Sequence, residues 1–259
     1  PGSCVAGIGA NGNICSTYCQ IMADEVGKLI LIGRPGREDK LKEVACEIYA
    51  HAYKEIQKYR AYLKGQEVDY IHSTDKLTGI ALRIHATNAV KTLLDSEQPP
   101  ENPGKWIFDQ LREELQGDLP IYTSTDYSDL CHANIIISAS NSPHSIIFPQ
   151  MLGDGPVLIN DIAVPFDVDD SVKDNCPNVR VINGGIVKLP YNPDLQIQGM
   201  PLDPGYVYPC MAEAILLGME GSREHYSYGK ITKPMVSKIL QIAKIHGFKL
   251  GQFKVGRSF

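Results

Sequence analysis

The sequence predicts an α/β protein, a doubly wound (Rossmann-like) parallel sheet with a helical insertion and a C-terminal helical segment. Three observations carry that expectation. A glycine turn, Gly7-Ile-Gly9-Ala-Asn-Gly12, stands between a short apolar run and a helix-like run. Further short apolar runs alternate with helical patterns down the chain, as in sheets wound from strand–helix units. Residues 38–117 hold much more helical pattern than one crossover needs. The 259 residues suffice for one large domain or a domain with a smaller lobe.

Cys4-Val-Ala6 reads as a buried strand, and Ile14, Thr17, Tyr18, Ile21 and Met22 mark the helix after the glycine turn. Strand, glycine turn and helix together form the dinucleotide fingerprint in the setting it requires. Glycine lets the backbone turn with φ > 0 and approach a pyrophosphate closely. The N–H groups and dipole at the helix start then hold the phosphate charge. The candidate cofactor residues here are Gly7, Gly9, Gly12, Asn13 and Ile14, and the bland alternative is a structural turn. A second strand, 28–33, ends at Arg34 and Arg37, with no Asp or Glu at the strand end. An acidic residue there would read a ribose 2′-hydroxyl, whereas an arginine fork suits a 2′-phosphate. The expected cofactor is therefore NADPH rather than NADH, with solvated loop arginines as the alternative.

Residues 38–64 place Leu41, Val44, Ala45, Ile48, Tyr49, Ala52, Ile56, Tyr59 and Leu63 on one helical stripe. Helical patterns at 77–94 and 105–115 complete the insertion. His51, His72 and His85 lie in it and read as ordinary histidines. Strands are expected at 119–123, 134–140, 155–161 and, as the last, 179–187, with a short helix at 127–133. The carboxyl ends of such strands face the cofactor crevice. Ser140, Asn141, Asn183 and Gly184 are therefore further candidate cofactor residues. The tail is expected to be helical at 209–221 and at 232–246, with Thr232 as N-cap. The prolines of 201–209 mark a joint between a nucleotide-binding unit, 1–200, and a helical segment, 201–259.

A formal charge of −5 argues against nucleic acid as the main partner. No apolar run reaches the eighteen or so residues of a membrane helix. The seven cysteines are scattered, without a C-x-x-C pair, which points away from disulfides and metal and toward a reducing cytoplasm. Cys210 follows Pro209, a favoured first helical residue, so its thiol lies where the helix dipole favours a thiolate. Its alternative is a small packing residue in an apolar helix. Cys15 stands where a third small residue packs against the sheet. Cys4, Cys19, Cys46, Cys131 and Cys176 read as inert. Tyr226-Ser-Tyr-Gly-Lys230 offers a rival, the Tyr-x-x-x-Lys spacing of short-chain dehydrogenases. That pair needs one face of a continuous helix, and Gly229 interrupts it.

Gly9-Ala-Asn-Gly-Asn-Ile-Cys-Ser, Leu29-Ile-Leu-Ile-Gly-Arg34, Val181-Ile-Asn-Gly-Gly-Ile-Val187 and Pro209-Cys-Met-Ala-Glu-Ala-Ile-Leu-Leu-Gly-Met-Glu-Gly221 resemble the long-chain acyl-[acyl-carrier-protein] reductases. Tyr226-Ser-Tyr-Gly and His246-Gly-Phe248 extend the likeness, which covers roughly 1–37 and 119–250. Members of that family carry a region ahead of the glycine turn, segment 38–117 has no counterpart in them, and Cys15 replaces their usual glycine. The resemblance implies NADPH-dependent reduction of a fatty acyl thioester, on acyl carrier protein or CoA, to an aldehyde. It implies Cys210 as the residue that carries the acyl group. Two alternatives stay open: an NADP-dependent alcohol or ketone dehydrogenase using Tyr226 and Lys230, and a non-catalytic NADPH-responsive binding protein with the helical insertion as its partner surface.

Overall fold

The computed structural model describes residues 3–66, 76–191, 200, 202–251 and the backbone of 254–255. His72 and Pro201 lie outside the described residues. The chain opens with β1 (Cys4–Ile8), α1 (Asn13–Met22) and β2 (Lys28–Ile32). Then come α2 (Glu38–Leu63), α3 (Gly79–Ile84), α4 (Asn88–Asp95), α5 (Pro103–Glu114) and β3 (Ile121–Ser124). A 3₁₀ turn (Tyr127–His132) leads into β4 (Ile135–Ser138), and β5 (Val157–Asp161), α6 (Asp170–Asn175) and β6 (Val179–Asn183) follow. The remainder is β7 (Val187–Lys188), β8 (Tyr206–Val207), α7 (Pro209–Met219), α8 (Lys233–Ile245), β9 (Lys249–Leu250) and β10 (Lys254–Val255).

The main sheet runs β3-β2-β1-β4-β5-β6, all parallel, with β10 added antiparallel to β6. This is the doubly wound Rossmann-like order, and it reverses between β1 and β4. Alternate strand residues feed two cores, as the two-residue period of a strand requires. Val5, Leu29, Leu31, Ile121 and Ile137 meet α1–α5 on one face, and Ala6, Ile8, Ile30, Ile32, Ile136 and Ile159 meet Leu130 and Val172 on the other. The stripe of α2 holds over most of its length: Leu41, Ala45, Ile48, Tyr49, Ala52 and Ile56 are all buried, whereas Leu63 at its end is exposed. Tyr49 also accepts the Ile121 N–H at 3.2 Å, which ties α2 to β3. So α2 is the crossover between β2 and β3, and α3–α5 are the helices added to it.

Four expectations change. The pattern at 77–94 splits into α3 and α4, because Thr87 breaks the run and its side chain accepts from the Val90 N–H. The last strand stops at Asn183; Gly185, at φ +84°, turns the chain away, and Val187–Lys188 joins a separate antiparallel sheet, β8-β7-β9. The tail thus holds strands as well as helices. On α1, Ile14 and Tyr18 are exposed, while Cys15, Thr17 and Cys19 face the sheet. Lastly, Cys131 is exposed rather than packed. Thr232 is the N-cap of α8 by position, without a side-chain hydrogen bond. Among the described residues, no helix is long and apolar enough to cross a membrane.

Candidate functional site

A cleft of about 940 Å³ opens at the carboxyl ends of β1, β2 and β4, where the strand order reverses. Its floor is the glycine turn. A Cβ on Gly7 would stand 2.4 Å from Cys19 Sγ and 2.9 Å from Cys15 Sγ, so Gly7 lets α1 lie directly on β1. Gly9 has φ +81°, and a Cβ there would meet the Ala139 carbonyl oxygen at 2.8 Å. The Gly9 and Ala10 N–H groups both donate to the Ile32 carbonyl at 3.0 Å, which holds the turn against the end of β2. Gly12 is the N-cap of α1, with no side chain to cap the first-turn amides and no acidic residue in that turn. Those amides open toward the cleft, a seat for a phosphate.

Arg34, Arg37 and Lys40 line the cleft from the β2 side, and Ala139, Ser140 and Asn141 from the β4 side. The Arg34 guanidinium donates to the side-chain oxygen of Asn141 and so bridges the two walls. Of the residues expected at a cofactor, Gly9, Gly12, Asn13, Ile14, Arg34, Ser140 and Asn141 are brought together here. Gly7 lies beneath the helix, not in the lining. Asn183, the last residue of β6, and Gly184, the first after it, lie two strands beyond β4 and do not line it either. Gly184 instead permits close approach of β5, since a Cβ there would stand 2.0 Å from Asn160 Oδ1.

The tail contributes residues that local sequence patterns do not reveal. Ser227 and Ile231 line the cleft. The Asn13 side-chain amide donates to the Gly229 carbonyl at 2.5 Å, and the Thr17 hydroxyl to the Ile231 carbonyl at 3.3 Å. These partners are 216 and 214 positions apart, so no local signal announces them. Two buried carboxylates, Asp161 at the end of β5 and Asp167 on the loop after it, are further residues that the sequence does not single out. Asp161 accepts from the N–H groups of Ala163 and Val168, and burial pushes its carboxyl up to about 6. Asp167 accepts from Ser138 Oγ at 2.5 Å, Ser140 Oγ at 2.6 Å and Ser140 N at 3.1 Å.

Cys210 is exposed in the first turn of α7. The preceding Pro209 ring lies 3.3 Å from where a Cβ on Gly185 would stand. That contact seats the helix start at the turn after β6, on the same carboxyl edge of the sheet as the cleft. Cys4, Cys15, Cys19 and Cys46 are buried. A hydrogen bond with Cys19 and burial push the Cys15 thiol up, and burial does so for Cys4 and Cys46. The Tyr226–Lys230 arrangement does not form. Residues 226–230 are not helical; the Tyr226 hydroxyl donates to the Met235 carbonyl at 3.3 Å, while Lys230 pairs with Glu47 on α2. Gly229, at φ +79°, is the physical reason, since it breaks the helix that the pair needs.

A cleft with a glycine floor, a helix start and three cations is suited to an extended, phosphate-bearing ligand such as a dinucleotide. No family model matches the chain. Over 146 residues it is 29% identical to aminotransferase PigE of a Serratia species, covering 52% of this chain and 17% of that protein. Over 125 residues it is 26% identical to a long-chain acyl-[acyl-carrier-protein] reductase of Synechococcus elongatus, covering 46% of this chain and 36% of that protein. The matched stretches thus span well under half the length of these relatives. Among solved structures, a 3-hydroxybutyryl-CoA dehydrogenase from Escherichia coli K12 aligns with 71% of this chain and 29% of its own, at a TM-score of 0.31 and 11% identity.

Proposed function

We propose that the chain is an NADPH-dependent reductase of acyl thioesters that releases an aldehyde. The observation that carries the reading is an exposed cysteine which, though outside the cleft lining, starts a helix seated on the same carboxyl edge of the sheet, on the side away from the cations. The cations favour the adenosine end of the cofactor at β2, with Arg34 on its 2′-phosphate and Arg37 and Lys40 beside it. The α1 start would then hold the pyrophosphate, and Ser140 and Asn141 would meet the other half. Strands lie about 4.8 Å apart, so the turn that seats Cys210 stands roughly 10 Å beyond β4. The named activity of the Synechococcus relative supports the same reading.

In this reading the Cys210 thiolate attacks the thioester carbonyl carbon. The C–S bond to the carrier breaks, and the carrier thiolate leaves with a proton from solvent. The acyl group then rests on Cys210 as a new thioester, which divides one difficult transfer into two easier ones. NADPH, when bound, supplies the hydride that takes this acyl group to the aldehyde and returns the thiolate. The donor is an acyl carrier protein or acyl-CoA. Intact-mass measurement after incubation with an acyl-CoA in the absence of NADPH tests this. The expected result is one acyl adduct, lost in Cys210→Ala. Aldehyde production by Cys210→Ala at the wild-type rate overturns it.

A further inference from the structure

The wall of the cleft on the β4 side is one loop, from Ala139 to Ile146, and both of its ends are held by the same residue. At the start, the Asp167 carboxylate accepts from Ser138 Oγ, Ser140 Oγ and Ser140 N. At the end, the Asp167 main-chain carbonyl accepts the N–H groups of Ile146 at 2.7 Å and Ile147 at 3.0 Å. Ser140 relays the hold, because its hydroxyl also accepts from the Ser142 N–H at 3.0 Å. Asp167 is in turn fixed from below: Asp161, at the end of β5, grips the Ala163 and Val168 N–H groups on either side of it.

Asp167 is 0% exposed, and its carboxylate is met by hydroxyl and amide donors. Burying a carboxyl among neutral donors is costly compared with an apolar residue that would fill the same space. A role beyond packing is the economical account of it. The wall that it shapes carries Asn141, which engages Arg34 across the cleft. Holding that wall therefore also sets where the Arg34 fork is aimed.

We propose that Asp167 is a positioning residue for the cofactor: it fixes the loop 139–146, and through Asn141 the aim of Arg34, without touching the ligand itself. The inference rests on the reading of the cleft as an NADPH site. It places the determinant of 2′-phosphate selectivity partly outside the cleft, in a buried side chain on the next loop.

The test is titration of NADPH and NADH into wild type, Asp167→Asn, Asp167→Ala and Ser138→Ala, followed by cofactor fluorescence, with urea unfolding measured on each. Ser138 is fully buried, lies outside the cleft lining and touches the Asp167 carboxylate, so it reports positioning without direct contact. Loss of buried hydrogen bonds that aim a charged group predicts weakening of NADPH by about tenfold or more in Asp167→Ala and about threefold in Ser138→Ala. NADH should change less in both. Asp167→Asn keeps the shape and one acceptor, and should recover most of the NADPH affinity. A folded Asp167→Ala or Ser138→Ala with wild-type affinity and selectivity overturns the positioning role alone. If Asp167→Ala does not fold, Ser138→Ala decides. Wild type that binds neither nucleotide overturns the cofactor reading, and this inference with it.

Discussion

Replacing Gly9 with alanine separates the conformational demand of the turn from the room it leaves for a ligand. Gly9 sits at φ +81°, a left-handed conformation that costs an L-residue about 1–2 kcal/mol. The new methyl would also stand 2.8 Å from the Ala139 carbonyl oxygen, 3.3 Å from its carbon and 3.4 Å from Ser140 Cα. Those atoms are backbone, and Asp167 holds them in place, so the strand end cannot swing away cheaply. Strain and crowding together predict a loss of about 2–4 kcal/mol of folding stability. Gly12→Ala is the control. Gly12 has φ −96°, and its Cβ would approach only the Gly9 carbonyl, at 3.2 Å, so it should lose less than about 1 kcal/mol. Both variants should weaken dinucleotide binding. The assay is urea unfolding followed by the fluorescence of Trp106, the chain's one tryptophan. Equal stability of Gly9→Ala and wild type, within about 0.5 kcal/mol, would refute the reasoning.

Other outcomes follow from the same geometry. Arg34→Ala should weaken NADPH by about 10- to 100-fold, the range for a charge-assisted hydrogen bond, and leave NADH nearly unchanged; equal losses in a fluorescence titration argue against a 2′-phosphate role. In the native protein iodoacetamide should label Cys210 and Cys131, with Cys4, Cys15, Cys19 and Cys46 reacting only after denaturation; peptide mapping by mass spectrometry checks this against their burial. Tyr226→Phe should keep turnover within about twofold, because its hydroxyl serves the Met235 carbonyl rather than a lysine; a collapse of kcat would revive the dehydrogenase alternative. Asp161 gives a pH signature. Its folded carboxyl is raised to about 6, above the ordinary 3.9 or so of an unfolded chain, so its stabilising contribution is full below about pH 4 and is lost as pH rises through about 6. The loss is on the order of 3 kcal/mol, read as the difference in unfolding free energy between wild type and Asp161→Asn across pH 4–7.

What the sequence made legible was local. The glycine turn, β1 and β2 announce themselves because turn chemistry and apolar runs act over a few residues. The α2 stripe does so because eight buried side chains recur at helical spacing. The inward face of α1 was harder: it needs small groups, since Gly7 brings the helix so close that Cys15 and Cys19 fill the contact while Ile14 and Tyr18 turn out. The end of β6 was misjudged because an apolar run continues through Gly184-Gly185, and only the positive φ of Gly185 shows the chain leaving the sheet. Asp167 was invisible because its worth lies in partners on another strand. Ser227 and Ile231 were invisible because pairing across more than two hundred residues leaves no periodic trace.

The tail's grip on α1 has a thermodynamic consequence. Gly229 and Ile231 are hydrogen-bonded to the first helix while Ser227 and Ile231 line the cleft, so a molecule that touches these two would link its own binding to the docking of the segment. Whatever factor a bound molecule contributes to holding the segment down, the segment returns to that molecule's affinity. Slowed amide exchange in the last third of the chain would then report on a ligand bound at the first glycine turn.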